Sequence, residues 1–511
     1  MNATEPQLPA PPRALISTNP LQWIRFFGPG AILASVTVGS GEILFPSRGG
    51  AIFGFSILWV ILFVAFLKWI FVYTSIRHMI LSGGHPLERW RKIPGPSGWF
   101  PLFLIVIVAL ATPLWFSFLT GLTGQICAAI AGVGDQYLWA TLSVLGAIAL
   151  LSFGGYEFLE KAQTIILGLM VVCIVVAVFY VAPSWWQVLR GFVPQALSYP
   201  DWLYSLMPQM RDRSVWVEVV VYSSAIGGQS YDYLGYLSFL REKKWGWSHL
   251  KTATPEQLEG IAARKDHPAR LWLRAALVDT SASFFMVVFI GACFAILGTV
   301  ILQPDQQVPE GLRMLTYQAA FLTTLHPWLL PLYHLAVFLA FFGILYGGPE
   351  LSYRVLYEYL KSMPRFRNSL PLRGLRTGWI LWALGGGILV LWWSRFNPEV
   401  RLLDIVTPAG IYTGVLSCGF YALANLWVDR RFLPLPLRMG SWLVALNIAS
   451  AIALTSFGLK ALWDYDQFRG YLFLALFLAL CFVMARLLRF VDRAQLPDET
   501  AGSGEARESL S

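Results

Sequence analysis

Charged residues are scarce in this chain of 511 residues, because Asp, Glu, Lys and Arg together make up only 13% of it. Hydrophobic residues account for 56%, and the mean hydropathy is +0.59. A soluble domain carries about 25% charged residues, so a chain this poor in charge could not cover a surface exposed to water. The composition therefore predicts an all-α integral membrane protein whose bulk faces lipid.

Patterns typical of enzymes and of disulfide or zinc frameworks are also missing. The five cysteines lie far apart in apolar stretches, with no paired spacing that would indicate a disulfide framework or a zinc site. No phosphate-binding loop or nucleophile–base arrangement stands out, so we predict no enzyme activity and no cofactor. The net charge of +9 is interpreted as Lys and Arg in cytoplasmic loops, and no nucleic-acid partner is predicted.

Apolar stretches long enough to cross a bilayer recur along the chain. A spanning helix needs about 20 apolar residues. About twelve transmembrane helices are predicted by this criterion, at approximate positions 28–48, 53–76, 99–121, 136–154, 162–184, 215–240, 271–301, 326–353, 377–395, 402–428, 440–460 and 470–490. Loops after even-numbered segments hold most of the basic residues, for example Arg89, Lys243, Arg376 and Arg431. Because cytoplasmic loops collect such residues, both termini are predicted to lie in the cytoplasm of a plasma-membrane protein.

Two segments, the first and the sixth, carry paired glycines and polar side chains at mid-span: Gly39, Ser40, Gly41, Glu42, and then Gly227, Gly228, Gln229 and Ser230. Glycine lowers helix stability by about 1 kcal/mol relative to Ala, and a charge at the centre of a membrane helix costs about 3 kcal/mol. These costs indicate interrupted helices, whose free backbone groups can bind a substrate. All eight residues are therefore predicted to contact the substrate, and breaks at matching places indicate inverted repeats.

The predicted organisation is a core flanked by tails and two additional helices. A flexible cytoplasmic tail covers 1–20, the transporter core 21–428, two extra transmembrane helices 429–491, and a disordered cytoplasmic tail 492–511. Within the core, repeat one is predicted at 28–184 and repeat two at 215–428. Because each repeat has an odd number of helices, five, consecutive repeats lie in opposite orientations, which agrees with the loop charges.

The most distinctive stretch of the sequence runs from residue 28 to residue 60. It begins with Gly-Pro-Gly at 28–30, continues with Gly-Ser-Gly-Glu at 39–42, and ends with Gly-Ala-Ile-Phe-Gly-Phe-Ser-Ile-Leu-Trp-Val at 50–60. This stretch resembles the first two helices of the Nramp family of divalent-metal transporters, and the likeness continues at 111–112 and 158–161. The resemblance implies a LeuT-type fold with a 5+5 inverted repeat, and a secondary transporter that couples metal entry to protons.

The sequence departs from the family where the resemblance places metal-binding residues. Gly39 stands in place of Asp and Glu42 in place of Asn, while the family's Met-Pro-His element falls on or near 228–230. Pro113 stands where the family often has an acidic residue that carries protons. Only oxygen ligands remain, and such ligands suit a hard cation such as Mg²⁺ better than a soft transition metal.

The predicted function is secondary active transport of a small ion, a hard divalent metal such as Mg²⁺ or Mn²⁺, across the lipid bilayer. Glu42 and Gln229 are the predicted metal ligands, and the candidates for proton coupling are Glu42, Asp232 and Asp279. Two alternatives stay open: a carrier of a small organic solute such as an amino acid, and a membrane receptor or scaffold that does not transport. Lys68 in the second segment is interpreted as structural, either pairing with a carboxylate such as Glu42 or extending to the membrane interface.

Overall fold

The structure is a computed structural model that describes residues 8–13, 19, 22, 40–153, 157–310, 314–363, 366, 371–397 and 399–495. Within these residues the regular secondary structure is entirely helical. The predictions made for residues 28–39, including Gly39, and for the tail at 496–511 lie outside the described residues. Residues 8–13 of the predicted N-terminal tail lie against the bundle, where the carbonyl of Pro9 accepts a hydrogen bond from Trp272 Nε1 at 2.9 Å.

Long apolar helices form the bundle, and they fall into two groups along the chain. The first group starts with a π-helical turn (Ser40–Leu44) and contains α1 (Phe45–Phe53), α2 (Leu58–Ser82), α3 (Trp99–Ala131), α4 (Gln136–Phe153) and α5 (Glu157–Tyr180). The second group contains α6 (Val215–Ala225), α7 (Ser230–Lys243), α8 (Leu273–Leu297), α9 (Leu330–Lys361), α10 (Leu372–Phe396), α11 (Leu402–Phe432) and α12 (Ser441–Gln495).

Shorter elements connect these helices or interrupt them. The short α-helices are Pro86–Trp90, Trp185–Gly191, Asp201–Leu206, Pro255–Ala263, Pro268–Leu271, Met314–Gln318 and Ala320–Thr323. The 3-10 turns are Gly54–Ile57, Pro208–Arg211, Pro327–Leu329 and Leu435–Leu437. Further π-helical turns lie at Gly298–Leu302, inside α10 at Leu381–Gly385 and inside α11 at Ile411–Leu416.

Among the described residues, eight helical stretches are long and apolar enough to cross a membrane, and a ninth, Gln136–Ser152, is slightly shorter. The two longest of the eight, Gly41–Ser82 with 42 residues and Ser441–Leu488 with 48, are more than twice the roughly 20 residues of a single crossing. The chain is therefore an integral membrane protein. The estimate of about twelve crossings stays a prediction.

Helix α12 reverses direction near its middle. Gln467 has non-helical angles there (φ 49°, ψ −133°), and the hydroxyl of Tyr471 donates to the carbonyl of Leu459 at 3.0 Å. A straight helix rises about 1.5 Å per residue, so residues twelve apart could not meet without a reversal. Two antiparallel helical halves consequently stand at 441–495, where the sequence predicts two additional spanning helices.

The helices that carry the predicted site pack at the centre of the bundle. The π-helical turn and α1 pack on α6 and α8, and α2 packs on α8, α11 and α12. Helix α3 packs on α4, α9, α10 and α11. The residues predicted to bind substrate on the first and sixth segments are thereby brought next to each other, with α3 and α11 on their flanks.

Candidate functional site

The sixth membrane segment unwinds at its glycine pair. Helix α6 ends at Ala225 and α7 begins at Ser230, and between them Gly227 and Gly228 adopt φ angles of 72° and 97°. Glycine takes these left-handed conformations without the steric cost that other residues meet. Unwinding leaves free carbonyls at the end of α6 and free N–H groups at the start of α7.

Two carboxylates satisfy N–H groups at the break. Glu42, in the turn that precedes α1, is fully buried, and its Oε1 accepts a hydrogen bond from the backbone N–H of Gly227 at 2.9 Å. Asp232, in the first turn of α7, accepts one from the backbone N–H of Gln229 through Oδ2 at 2.7 Å. Negative charge is favourable at a helix N-terminus, because the free N–H groups and the helix dipole point toward it. Glu42 thus joins the first segment to the broken sixth.

The free carbonyls of the break are bound by a lysine from the second segment. The ammonium nitrogen of Lys68 lies 2.9 Å from the carbonyl oxygen of Ser223, 3.1 Å from that of Ser224, 2.8 Å from that of Ile226 and 2.7 Å from that of Gly228. The Lys68 side chain is fully buried. The interpretation that Lys68 extends to the membrane interface is therefore wrong, because its charge is held inside the bundle by backbone dipoles.

Two hydroxyls on α11 contact the polar side chains that follow the glycine pair. Thr413 Oγ1 is 2.5 Å from Gln229 Oε1, and the hydroxyl oxygens of Ser417 and Ser230 are 2.8 Å apart. Neither Thr413 nor Ser417 was predicted from the sequence. The available signal was their spacing of four residues, which places both on one face of a helix that is otherwise largely apolar.

The first and sixth segments touch through their backbones. A Cβ atom added to Gly41 would lie 2.4 Å from the carbonyl oxygen of Ala225, the last residue of α6. Only glycine permits this approach, which places the turn at 40–44 against the break. Ser40 opens that turn.

A cavity of about 60 Å³ lies beside the break. Its lining combines the break with aromatic and apolar side chains of α3 and α9: Gly41, Trp115, Phe116, Leu119, Ala225, Gly228, Gln229, Tyr231, Asp232, Ile344 and Gly348. A water molecule needs about 10–15 Å³ of such space, so the cavity has room for an ion with a few waters. Asp232 is the charged residue in this lining, and it is 9% exposed.

Comparisons with known proteins agree with this arrangement. Residues 30–207 match the model of the family "Natural resistance-associated macrophage protein-like" (Nramp). A divalent metal cation transporter MntH from Brucella suis is 24% identical over 194 residues, which cover 35% of this chain and 40% of that protein. MntH from Acidiphilium cryptum is 27% identical over 167 residues, which cover 32% of this chain and 37% of that protein. The chain thus spans about two fifths of the length of these relatives.

Solved structures extend the likeness to the whole fold. A manganese transporter from Eremococcus coleocola superposes with a TM-score of 0.67 at 13% identity, over 96% of this chain and 98% of that one. An inward-facing structure of Mhp1 superposes with a TM-score of 0.50 at 13% identity, over 85% and 90% of the two chains. The chain is thus similar to Nramp transporters in sequence over residues 30–207 and in fold over almost its whole length. Its LeuT-type fold, expected from the resemblance, is confirmed.

The Nramp-related protein holds its acidic residues apart. No group of three or more His, Cys, Asp or Glu side chains suited to a metal ion occurs in the part of the chain that the structure describes. Asp279, a predicted coupling residue, is buried on α8, where its Oδ2 accepts a hydrogen bond from the Tyr236 hydroxyl at 2.6 Å. Asp279 lies outside the lining of the cavity, as does Glu42.

A buried charge network that was not predicted from the sequence lies at one end of the bundle. The carboxylate of Glu218, near the start of α6, lies 2.7 Å from Arg48 Nε on α1 and 2.6 Å from Arg213 Nε. Arg213 also contacts Asp404 at the start of α11, at 3.0 Å. Since α6 runs from this network to the break, the network lies at one end of the Nramp-related protein and Lys243, which ends α7, at the other.

Proposed function

We propose that this Nramp-related protein is a secondary active transporter that moves a hard divalent cation, such as Mg²⁺ or Mn²⁺, by alternating access. The observation that carries the proposal is the cavity at the helix break, where Asp232 and Gln229 supply oxygen atoms beside Gly228. Relatives named divalent metal cation transporters support this class of cargo. Interrupted helices that meet in the membrane interior are typical of such carriers.

The balance of formal charges at the break favours a cation. Two acidic groups, Glu42 and Asp232, and one basic group, Lys68, interact electrostatically at the break. When both carboxyl groups are deprotonated and Lys68 is protonated, their formal sum is −1 in a region from which water is largely excluded, and in that state a cation in the cavity is attracted. Hard cations prefer oxygen ligands, and Mg²⁺ also keeps several of its waters, which the cavity can hold.

Gln229 offers its amide oxygen to the cavity if the side-chain amide is flipped, which exchanges the positions of its oxygen and nitrogen. Thr413 Oγ1 lies 2.5 Å from Gln229 Oε1 and 2.6 Å from the carbonyl oxygen of Ala409, but a hydroxyl has one proton to donate. With the amide turned, its NH₂ group donates to the Thr413 hydroxyl and that hydroxyl donates to the carbonyl of Ala409, so each contact of Thr413 has one donor and one acceptor. The amide oxygen of Gln229 then faces the cavity and joins Asp232 as a ligand of the cation.

The small volume of the cavity argues against the organic-solute alternative. Sites for organic ligands typically measure about 300–1,000 Å³, whereas the cavity here measures about 60 Å³. We further propose that Asp232 and Glu42, which both bind backbone N–H groups at the break, couple transport to protons rather than Asp279. We also propose that both termini lie in the cytoplasm of a plasma-membrane protein. The proposed ligands are Asp232 and Gln229, with Glu42 positioning the break through Gly227.

Uptake by purified protein in liposomes tests the proposal. With an indicator dye inside the vesicles, Mg²⁺ or Mn²⁺ should enter faster than into empty vesicles. Asp232→Asn should slow uptake by about tenfold or more, because affinity at oxygen sites depends on ligand charge. The exposed Glu259 lies on the short helix Pro255–Ala263, so Glu259→Gln is the matched control and should leave uptake unchanged.

Other outcomes would contradict cation transport. Uptake of an amino acid that is indifferent to divalent metals would favour the organic-solute carrier. A cation that binds the protein in detergent but never enters the vesicles would favour a receptor or scaffold. Equal metal uptake by Asp232→Asn and wild type would show that Asp232 is not a ligand of the cation.

A further inference from the structure

Lys68 is a full positive charge within an apolar helix and takes no part in the cavity lining. It is the sole charged residue between Leu58 and Ile76, and its side chain is completely buried. A lysine at the centre of a membrane helix costs about 2.5–3.5 kcal/mol on insertion scales, so such residues are retained for a role. The role is indicated by what surrounds the ammonium group.

The ammonium group of Lys68 sits in a cage of backbone oxygens. Four carbonyls, from Ser223, Ser224, Ile226 and Gly228, lie 2.7–3.1 Å from the nitrogen. An ammonium group has three hydrogens, so it cannot form a separate hydrogen bond to each of four acceptors. Four oxygens around one charge resemble the shell around a bound ion more than a set of paired donors and acceptors.

The spacing of the oxygens indicates the kind of ion that the cage fits. Mg²⁺ binds oxygen at about 2.0–2.1 Å and Ca²⁺ at about 2.3–2.6 Å. The distances of 2.7–3.1 Å around Lys68 Nζ are longer than both. They suit a monovalent cation of the size of ammonium. The cage is consequently different in kind from the neighbouring cavity, where Asp232 offers a carboxylate.

We propose that Lys68 is a built-in cation. Its ammonium group occupies a monovalent-cation position at the helix break, so the wild-type protein needs no dissolved Na⁺ or K⁺ there. The methylene groups of Lys68 link the ammonium group to α2, so this position stays filled while cargo enters and leaves the adjacent cavity. Removing the amine should therefore create an empty site for a small monovalent cation.

Chemical rescue of a truncated side chain tests this proposal. Lys68→Ala removes three methylene groups and the amine, which is the volume and charge of n-propylammonium. In detergent, Lys68→Ala should unfold at a temperature at least about 5 °C below wild type. Millimolar n-propylammonium or K⁺ should restore a large part of this loss, whereas wild type should gain nothing. Tetramethylammonium, which cannot donate hydrogen bonds to the carbonyls, should restore less.

Two matched variants separate a cation site from simple packing. Lys68→Met keeps most of the length of the side chain without its charge, so it should be destabilised and, with most of its space filled, not rescued. Ile70→Ala truncates another completely buried residue of α2 and should also not respond to cations. Rescue confined to Lys68→Ala supports a built-in cation. A lysine that merely packs against the end of α6 predicts no rescue of any variant.

The unfolding assay measures no transport, so its result is separate from that of the uptake experiment. If Lys68→Ala cannot be purified in any of the cations, the wild-type protein still tests the proposal. Its unfolding temperature and its metal uptake should be the same in Na⁺, K⁺ and a bulky organic cation. A requirement for Na⁺ or K⁺ in wild type would overturn the proposal, because the position would then not be filled by Lys68.

Discussion

Glu218 offers the sharpest test of how the buried charge network stabilises its end of the bundle. Its carboxylate lies 2.7 Å from Arg48 Nε and 2.6 Å from Arg213 Nε, and it accepts a hydrogen bond of 2.7 Å from the Tyr222 hydroxyl. The side chains of Glu218 and Arg48 are fully buried, and that of Arg213 is 9% exposed. Glu218→Ala would leave two guanidinium groups without this counter-charge in a region that water barely reaches.

The expected loss of stability is large. Removal of one partner of a buried ion pair costs about 3–5 kcal/mol, because the other charge stays buried without compensation. Each kcal/mol lowers the unfolding temperature by about 2 °C in domains of about 250 residues, so the expected decrease is about 6–10 °C. Glu218→Gln keeps an acceptor for the Tyr222 hydroxyl, so its unfolding temperature should lie between those of wild type and Glu218→Ala. Thermal unfolding of the purified protein in detergent measures both variants.

Two further variants provide a control and a complementary test for this prediction. Glu259→Ala removes an exposed carboxylate and should change the unfolding temperature by no more than about 1 °C. Arg48→Met combined with Glu218→Leu replaces the buried pair with apolar side chains, and should recover part of the loss because Arg213 keeps its contact with Asp404. If Glu218→Ala were as stable as Glu259→Ala, the buried network would not hold this end of the bundle.

Two more predictions concern backbone approach and acidity. Gly41→Ala would place a Cβ atom 2.4 Å from the carbonyl oxygen of Ala225, so we expect a loss of about 1–3 kcal/mol and of most metal uptake. Gly168→Ala on α5, where a Cβ meets no atom within 4 Å, is its control, and equal uptake by the two variants would refute the contact. In the loop after α2, burial lowers the pKa of His85 to about 4, and its neutral Nδ1 accepts a hydrogen bond from the N–H of Leu87 at 3.3 Å. Below pH 6.5 the unfolded chain binds a proton that the folded chain does not, so stability should fall by about 2 kcal/mol on going from pH 7.5 to pH 5. The corresponding decrease in unfolding temperature should be smaller in His85→Asn, and an equal decrease would contradict a buried neutral ring.

Local chemistry explains which parts of the site could be predicted from the sequence. Gly227 and Gly228 predict a break because paired glycines destabilise a helix wherever they stand, and the structure unwinds at that pair. A carboxyl group such as that of Glu42 in an apolar segment indicates a polar interior contact, because lipid cannot solvate it. Both inferences need only the residue and its immediate neighbours along the chain.

The partners of buried charges could not be predicted in this way, because they are distant in sequence. Lys68 bonds to carbonyls more than 150 positions away, and a backbone carbonyl leaves no mark in a sequence. Arg48 and Glu218 are separated by 170 positions, and each stands near the end of a predicted segment, where a charge suggests the membrane interface. Only the packing of α1 against α6 turns these two interface-like residues into a buried pair.

The charged groups at the break explain the departures from the family's motif. A carboxylate is missing at Gly39 and soft ligands are missing at 228–230, yet Glu42 brings a carboxylate three residues later and Asp232 brings one on α7. Lys68 adds a positive charge that binds the freed carbonyls. A helix break in a membrane must have its free N–H and C=O groups satisfied whether or not cargo is bound. In this protein fixed side chains do so, and the cation is therefore proposed to bind in the adjacent cavity, beside Asp232 and Gln229, rather than in the break itself.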